Sequence, residues 1–350
     1  MIGVIGATGF TGQLVAAELK RLQAHFFIAG RREPAIRELA AQLGNVPFKA
    51  INVESASTLA ELDGCNVIIN CAGPFTDLGE AVVQEAIKRR IHYLDLTGEQ
   101  GFIKLVYDRY HAAAREQGIA LVPACAFEYA LGDAAGALLL SELPTASSVE
   151  FVYAIKGTYT SAGTRKSIVR ALASPGYQYI GGQLVECAPA ATVKTVQLDG
   201  RSFAAMSFPA GEILMLPKHT EVQNIQAFML SDLPALALTV MGKVGQPVMR
   251  QASNLLFKAA ASGAVPTVEQ RTKTSFNIIA TASDGDQTRS LKVTGKDPYW
   301  LTAVIAAGVA VHLDQERPDR KGAITPSMIA GAEFIRELTN KQGTAWTFSA

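Results

Sequence analysis

The chain has 350 residues, 49% of them hydrophobic and 18% charged, with a formal net charge of +1. That length suits two ordinary domains with a sizeable core, and the composition is that of a compact α/β protein, not a disordered one. The near-neutral balance gives no field directed at nucleic acid, and the four cysteines (Cys65, Cys71, Cys125, Cys187) lack the spacing of a zinc site or a disulfide scaffold.

The first element is the apolar run Ile2 to Ile5, which predicts a buried strand. It leads into Gly6-Ala7-Thr8-Gly9-Phe10-Thr11-Gly12, and then into a segment with Leu14, Val15, Leu19 and Leu22 on one helical face. Strand, tight glycine turn and helix together form a dinucleotide-binding signature: the glycines let a pyrophosphate approach the backbone, and the helix N-terminus receives its charge. The spacing G-x-x-G-x-x-G is one residue off the usual fingerprint. A glycine turn without a ligand is the plain alternative. Residues 6–12 are the expected cofactor-binding turn. Because the first strand starts at residue 2, no signal peptide is expected, and the location expected is cytoplasmic.

A second strand, His25 to Ala29, ends in Gly30-Arg31-Arg32. This position faces the adenosine ribose, where an acidic residue selects NAD and arginine accommodates the 2′-phosphate of NADP. The paired arginines favour NADP(H) over NAD(H), with Glu33 one residue later and ordinary surface arginines as the alternatives. After helix Pro34 to Leu43 and strand Phe48 to Val53, Val53 is placed near the adenine edge. The buried parallel strand Val67 to Cys71 breaks at Gly73-Pro74 and sets Cys71, Ala72, Gly73, Pro74 and Phe75 beside the cofactor, since ligands bind beyond the carboxyl ends of such strands. Helix Gly79 to Arg89 and strand His92 to Glu99 follow. The strand's end carries Asp95, Thr97, Gly98 and Glu99 to the same rim, with Thr97 and Gly98 as further cofactor contacts. Helix Gly101 to Glu116 and strand Ile119 to Ala124 complete the alternation, which ends in Cys125-Ala-Phe-Glu-Tyr129. The fold class expected is α/β: a Rossmann-type doubly wound parallel sheet.

Four stretches carry a family resemblance: Gly6-Ala-Thr-Gly-Phe-Thr-Gly12, Asn70-Cys-Ala-Gly-Pro-Phe75, His92-Tyr-Leu-Asp-Leu-Thr-Gly-Glu99 and Pro123-Ala-Cys-Ala-Phe127. Together they resemble the saccharopine dehydrogenase-like oxidoreductases, a group that includes trans-acting enoyl reductases. The resemblance covers residues 1 to about 135 and returns at Gly322-Ala-Ile-Thr-Pro326. It implies NADP-dependent oxidoreduction. Where the family pattern runs C-G-F-D-S-x-P-x-D, this chain has Cys125-Ala-Phe-Glu-Tyr-Ala-Leu-Gly-Asp133, so the departures fall where substrate is expected to bind.

Beyond Asp133 the alternation changes. Helix Gly132 to Ser141, strand Ser147 to Lys156 and a helix opened by Ser161 and running to Ala173 come first. Strands are predicted at Gln183 to Cys187, Thr192 to Leu198, Ser202 to Met206, Thr220 to Phe228, Arg271 to Ala282 and Thr288 to Thr294, with turns at Asp199-Gly200 and Asp284-Gly285. This predicts a second α+β domain on a mostly antiparallel sheet, serving substrate binding or dimerisation. Leu233 to Val265 is apolar with few charges, and either covers the sheet as core helices or presents a lipid-facing wall. The last helices, Tyr299 to Leu313 and Thr325 to Asn340, are expected to return to the first domain, with Thr325 capping the second. The longest apolar run, Leu301 to Leu313, is too short to span a bilayer. The boundaries expected are 1–128 plus 298–350 for the dinucleotide domain and 129–297 for the second.

The function expected is NADP-dependent hydride transfer to or from a C=C, C=N or C=O bond of a small, apolar-compatible substrate by a homo-oligomer. A non-catalytic NADP sensor and a scaffold in peripheral contact with a membrane are the competing readings. Such chemistry asks the protein for orientation and a proton partner. The catalytic candidates are Asp95, Glu99, Cys125 and Tyr129; the plain alternatives are that Asp95 caps a turn or holds a backbone loop, that Glu99 pairs with an arginine and that Cys125 is buried packing. Tyr153 and Tyr159 are further proton donors, and no metal site is expected. His111 and His219 have no partner recognisable from sequence.

Overall fold

The computed structural model describes residues 1–157, 159–188, 190–260, 265–316 and 318–349, with backbone alone at 171, 172, 240–250 and 254. The chain divides into two compact units. The first comprises residues 1–97, 102–130 and 299–339, the second residues 98–101, 131–298 and 340–350.

The first unit is built on a seven-stranded parallel sheet. Its strands are β1 (Ile2–Ile5), β2 (Phe26–Gly30), β3 (Phe48–Ala50), β4 (Val67–Asn70), β5 (His92–Asp95), β6 (Ala120–Val122) and the two-residue strand Gly322–Ala323. The spatial order is Gly322–Ala323, β6, β5, β4, β1, β2, β3. Each strand of β1, β2 and β4 is buried along its whole length, as a sheet covered on both faces requires. Chain direction across the sheet reverses between β1 and β4, which creates the switch-point crevice where such folds hold ligands. Helix Phe10–Arg21 buries Val15, Ala16 and Leu19, and helix Phe75–Arg89 buries Val82, Val83 and Ala86. The returning helix Pro298–Gln315 is buried almost all round, through Leu301, Ile305, Val309 and Leu313 among others, so the longest apolar run is core.

Some elements differ from expectation. Residues 100–116 form two short α-helices around a π-helical stretch, Val106–Tyr110. The helix expected from Thr325 breaks into Ser327–Ala330 and Ala332–Asn340 at Gly331, whose φ is +88°. Thr325 does not cap through its side chain: among the described residues its buried hydroxyl has no hydrogen-bond partner, and its carbonyl accepts from Met328 N.

The second unit carries a nine-stranded mixed sheet. Its strands are β7 (Ser148–Lys156), β8 (Gly176–Ile180), β9 (Gln183–Cys187), β10 (Val193–Leu198), β11 (Arg201–Ser207), β12 (Asn224–Ser231), β13 (Ser275–Ser283), β14 (Thr288–Lys296) and the C-terminal strand Ala345–Ser349. The path runs β10, β11, β12, β7, β13, β14, Ala345–Ser349, with β8 and β9 branching from β12. All pairs are antiparallel except β12 with β7. Burial in β13 alternates strictly, and Phe276, Ile278, Ala280 and Ala282 form its inward row. Helix Phe127–Glu142 approaches one face so closely that a Cβ on Gly136 would lie 3.0 Å from the Phe151 ring. The 26-residue helix Ala235–Ala260 packs on helix Ala162–Ala173 and on β10 and β11. The region 233–265 read from the sequence thus lies partly outside the described residues, at 261–264 and in the side chains at 240–250 and 254. Among the described residues no helix is long and apolar enough to cross a membrane.

Candidate functional site

The β1 turn is shaped by close backbone approach. Gly6 has φ +74°, and a Cβ there would lie 2.8 Å from the Ala72 nitrogen at the end of β4. A Cβ on Gly12 would lie 2.8 Å from Ala7 Cα, so the helix can start this near the turn only with glycine at that position. Gly9 N donates to Gly6 O (2.9 Å), Ala7 N to Ala29 O (3.0 Å) and Cys71 N to Ile5 O (2.8 Å), which ties the ends of β1, β2 and β4 together. The helix that follows has neither a side-chain cap nor an acidic residue in its first turn. Its first N–H groups and positive dipole end are the anion receptor that a pyrophosphate requires. Phe10, at its start, meets the Tyr299 ring edge-on at 4.9 Å. Tyr299 sits beside the turn because the returning helix brings it there, across nearly 290 residues of sequence that give no hint of it.

Gly30 ends β2, and Arg31 and Arg32 are exposed just beyond it. Arg31 lies 3.7 Å from Glu54, an exposed pair of little strength that a phosphate can displace. Glu33, the residue that kept NAD open, is engaged with Arg37 at 2.5 Å within its own helix. Val53 is buried near the end of β3. In the β4 loop, Ala72 N donates to Asn70 Oδ1 (3.0 Å), the Gly73–Pro74 peptide is cis, and Phe75 is buried against Phe102 with ring centroids 6.0 Å apart. Thr97 is fully buried, and Gly98 falls with the second unit.

The rim candidates take different positions. Asp95 is fully buried at the end of β5, and its Oδ1 accepts from Thr97 N (2.9 Å) and Ala124 N (3.0 Å). It fixes the loops after β5 and β6, and Ala124 is held there at φ +59°. Burial, and secondly the Asp95 charge, push the Tyr93 phenol and the Cys71 and Cys125 thiols well above their ordinary values. Cys125 is fully buried and stays a thiol at neutral pH, without the thiolate that nucleophilic work needs. Tyr129 is buried as well. Helix Phe127–Glu142 begins just beyond β6, and its Phe127 N–H donates to Thr302 Oγ1 of the returning helix (3.1 Å). In its first turn stands Glu128, half-buried, its carboxyl pKa raised by desolvation. Sequence reasoning met Glu128 only as a departure from a motif.

In the second unit, Glu99 is 3% exposed and accepts from Ser167 Oγ at 2.9 Å. Gln100 beside it donates to the Ala210 carbonyl (2.9 Å) and accepts from Tyr177 N (2.8 Å). Ser161 caps the helix it opens, accepting from Thr164 N at 3.1 Å. Tyr153 is fully buried and donates its hydroxyl to the buried Glu212 carboxylate, which places it in the interior; Tyr159 is exposed. Both histidines find partners: His219 Nε2 lies 2.7 Å from Asp133 Oδ1, and His111 Nδ1 3.1 Å from Ala323 O in the first unit.

The parallel sheet with its switch point, the glycine turn and the paired arginines define a dinucleotide-binding domain of the oxidoreductase class. Residues 2–134 match the family model described as the saccharopine dehydrogenase NADP binding domain. A trans-acting enoyl reductase of Mycobacterium bovis is 24% identical, over 96% of this chain and 95% of its own. A saccharopine dehydrogenase-like oxidoreductase of Bos taurus is 31% identical over 36% of this chain, and a lipid droplet localized protein of Caenorhabditis elegans 27% identical over 55%. The chain's match spans only 34% and 49% of those two relatives. Among solved structures, saccharopine dehydrogenase (L-Glu forming) of Saccharomyces cerevisiae shares the fold with a TM-score of 0.66 at 12% identity, over 99% of both chains. Homospermidine synthase of Legionella pneumophila, in complex with NAD, does so with a TM-score of 0.65 at 8% identity, over 99% of this chain and 90% of its own.

Proposed function

We propose that the protein is an NADP(H)-dependent reductase acting on a C=C, C=N or C=O bond, with an enoyl-type substrate as its first candidate. The observation that carries the cofactor half is the Gly6–Gly12 turn, packed too closely for side chains and facing an uncapped, acid-free helix N-terminus, with Arg31 and Arg32 at the ribose position. The substrate half is supported by the enoyl reductase name of the mycobacterial relative, which aligns over 95% of its length.

Bound at that turn, NADPH would supply the hydride; the chain's own residues bind, orient and handle the proton. Gly6 to Gly12 receive the pyrophosphate, Arg31 and Arg32 the 2′-phosphate, and Cys71 to Phe75 flank the remaining half. Asp95 is a positioning residue that holds the β5 and β6 loops. Glu128 is the proton donor in this reading. Of the rim carboxyls it alone retains exposure beside a raised pKa, whereas Asp95 and Glu99 are buried.

Fluorescence titration with NADPH and NADH tests the cofactor half. Arg31→Ala should weaken NADPH about 10- to 100-fold, the worth of one charge-assisted phosphate contact, and leave NADH unchanged. Equal loss of both would remove Arg31 from the 2′-phosphate. A panel of enoyl thioesters, ketones and imines tests the substrate half. Glu128→Gln should lower kcat and flatten the alkaline limb of the pH profile while NADPH binding persists. Cofactor binding with no turnover on any member of the panel would favour a sensor.

A further inference from the structure

Two packed helices of the second unit, Ala162–Ala173 and Ala235–Ala260, form a layer over the β10–β11 end of its sheet. Neither contains a single aspartate or glutamate, and the acid-free stretch around the longer helix runs from residue 233 to residue 268. The cations present are Arg165, Lys166 and Arg170 on the first helix and Lys243, Arg250 and Lys258 on the second. Two are braced by an aromatic ring, with Lys166 and Arg170 lying 5.1 and 4.6 Å over the Phe257 ring.

Large apolar side chains stand out of the same layer: Leu236 is 77% exposed, Leu255 73% and Ile168 45%. At 100° per residue, the described exposed residues of the long helix after its first (Leu236, Gln251, Leu255, Lys258, Ala259) fall within about 140° of arc, so they share one outward face. The opposite side carries buried Leu238 and Ala260. Among the described residues, the outer face of this helix, about 40 Å long, carries two leucines and Lys258, and the helix lacks the acidic residues that keep an ordinary surface helix in water. Leucines to enter the acyl boundary and cations to meet phosphate headgroups are the combination that an anionic bilayer selects.

We propose that this face docks on an anionic phospholipid bilayer, the helix lying in the interface plane without crossing it. The proposal is independent of the reaction the first unit supports. Charge complementarity selects the occupant: a second copy of this chain would bring cations against cations at a two-fold contact.

The test uses the full chain, floated with vesicles of phosphatidylcholine alone and of phosphatidylcholine with phosphatidylserine, at low and high salt. Binding should be about tenfold stronger to the anionic vesicles and should fall as salt rises. The double variant Leu236→Asp, Leu255→Asp should lose flotation about tenfold with an unchanged circular dichroism melt and unchanged NADPH binding. A separate variant, Lys258→Glu, should weaken binding to the anionic vesicles alone. Equal partitioning to both vesicle types, no flotation, or wild-type flotation of the double variant overturns the proposal. So does a light-scattering mass that drops from dimer to monomer in the double variant while neither protein floats, because a second copy then covers the face.

Discussion

The Asp95 carboxylate is fully buried, and one of its oxygens accepts two main-chain N–H groups from two different loops. Asp95→Ala therefore orphans two buried donors and should destabilise the protein by roughly 3 kcal/mol in urea unfolding, whereas Asp95→Asn keeps an acceptor and should lose less than half of that. Equal losses would mean that the charge, not the acceptor, matters. Asp95 was legible in the sequence as a rim residue able to hold a backbone loop, which its two main-chain donors bear out; its partner Ala124 was not, because it takes a left-handed backbone that nothing in an alanine announces. Gly6 and Gly12 were legible, since close backbone approach leaves only glycine. Arg31 and Arg32 were legible as residues just beyond the second strand, where they stand exposed, and Ser161 as the residue that opens its helix, which it caps. Tyr299 was not, because its place beside Phe10 is set by a returning helix.

Among elements, the start of β6 is tied to β5 through His92, whose Nδ1 accepts from Ala120 N at 3.0 Å. Burial first, then the Lys321 charge, lower the His92 pKa, consistent with a ring nitrogen that must remain unprotonated to accept. The sign follows from linkage. Above the ordinary histidine value of about 6.5 the ring is neutral in both folded and unfolded chains, and the shift is without effect. Below it the unfolded chain takes up a proton that the folded chain resists, so stability falls as pH drops, by up to about 1.4 kcal/mol per unit of pKa lowering. Urea unfolding from pH 8 to pH 5 should show a smaller acid loss in His92→Asn than in the parent, and parallel curves would rule the contribution out. The strands up to residue 124 were legible, and so were the helices apart from the π-helical stretch Val106–Tyr110, because buried parallel strands are continuous apolar runs separated by amphipathic segments. β8 was missed because Gly176–Ile180 is a short strand directly after Pro175. The helix drawn through Gly331 failed because periodicity continues across a residue whose φ of +88° ends the helix.

At the scale of the molecule, both units are assembled from separated segments. The strand Ala345–Ser349 pairs with β14 in the second sheet, with Trp346 opposite Val293, although the sequence suggested that the chain's end stays with the first domain. Its short, almost wholly exposed pattern carries too little alternation to announce a strand. Deleting residues 341–350 would uncover the β14 edge and should lower the melting temperature by about 2–6 °C and raise light scattering on heating. An unchanged melt would make the strand an ornament of the sheet. The second unit was legible as a run of hairpins, and the one parallel pair, β12 with β7, was not, because a parallel contact leaves no turn in the sequence.

The strand Gly322–Ala323 closes the far side of the first sheet by pairing with β6, yet about 200 residues separate Val122 from Gly322. A ribosome adding 5–20 residues per second needs roughly 10–40 s to make that stretch. During that interval β6 is the open border of a sheet otherwise ready to form, and residues 131–298 of the second unit are made before its neighbour is synthesised. The nascent chain therefore passes through a stage in which a buried strand of the finished protein is an unshielded edge, a natural client for a chaperone on the ribosome.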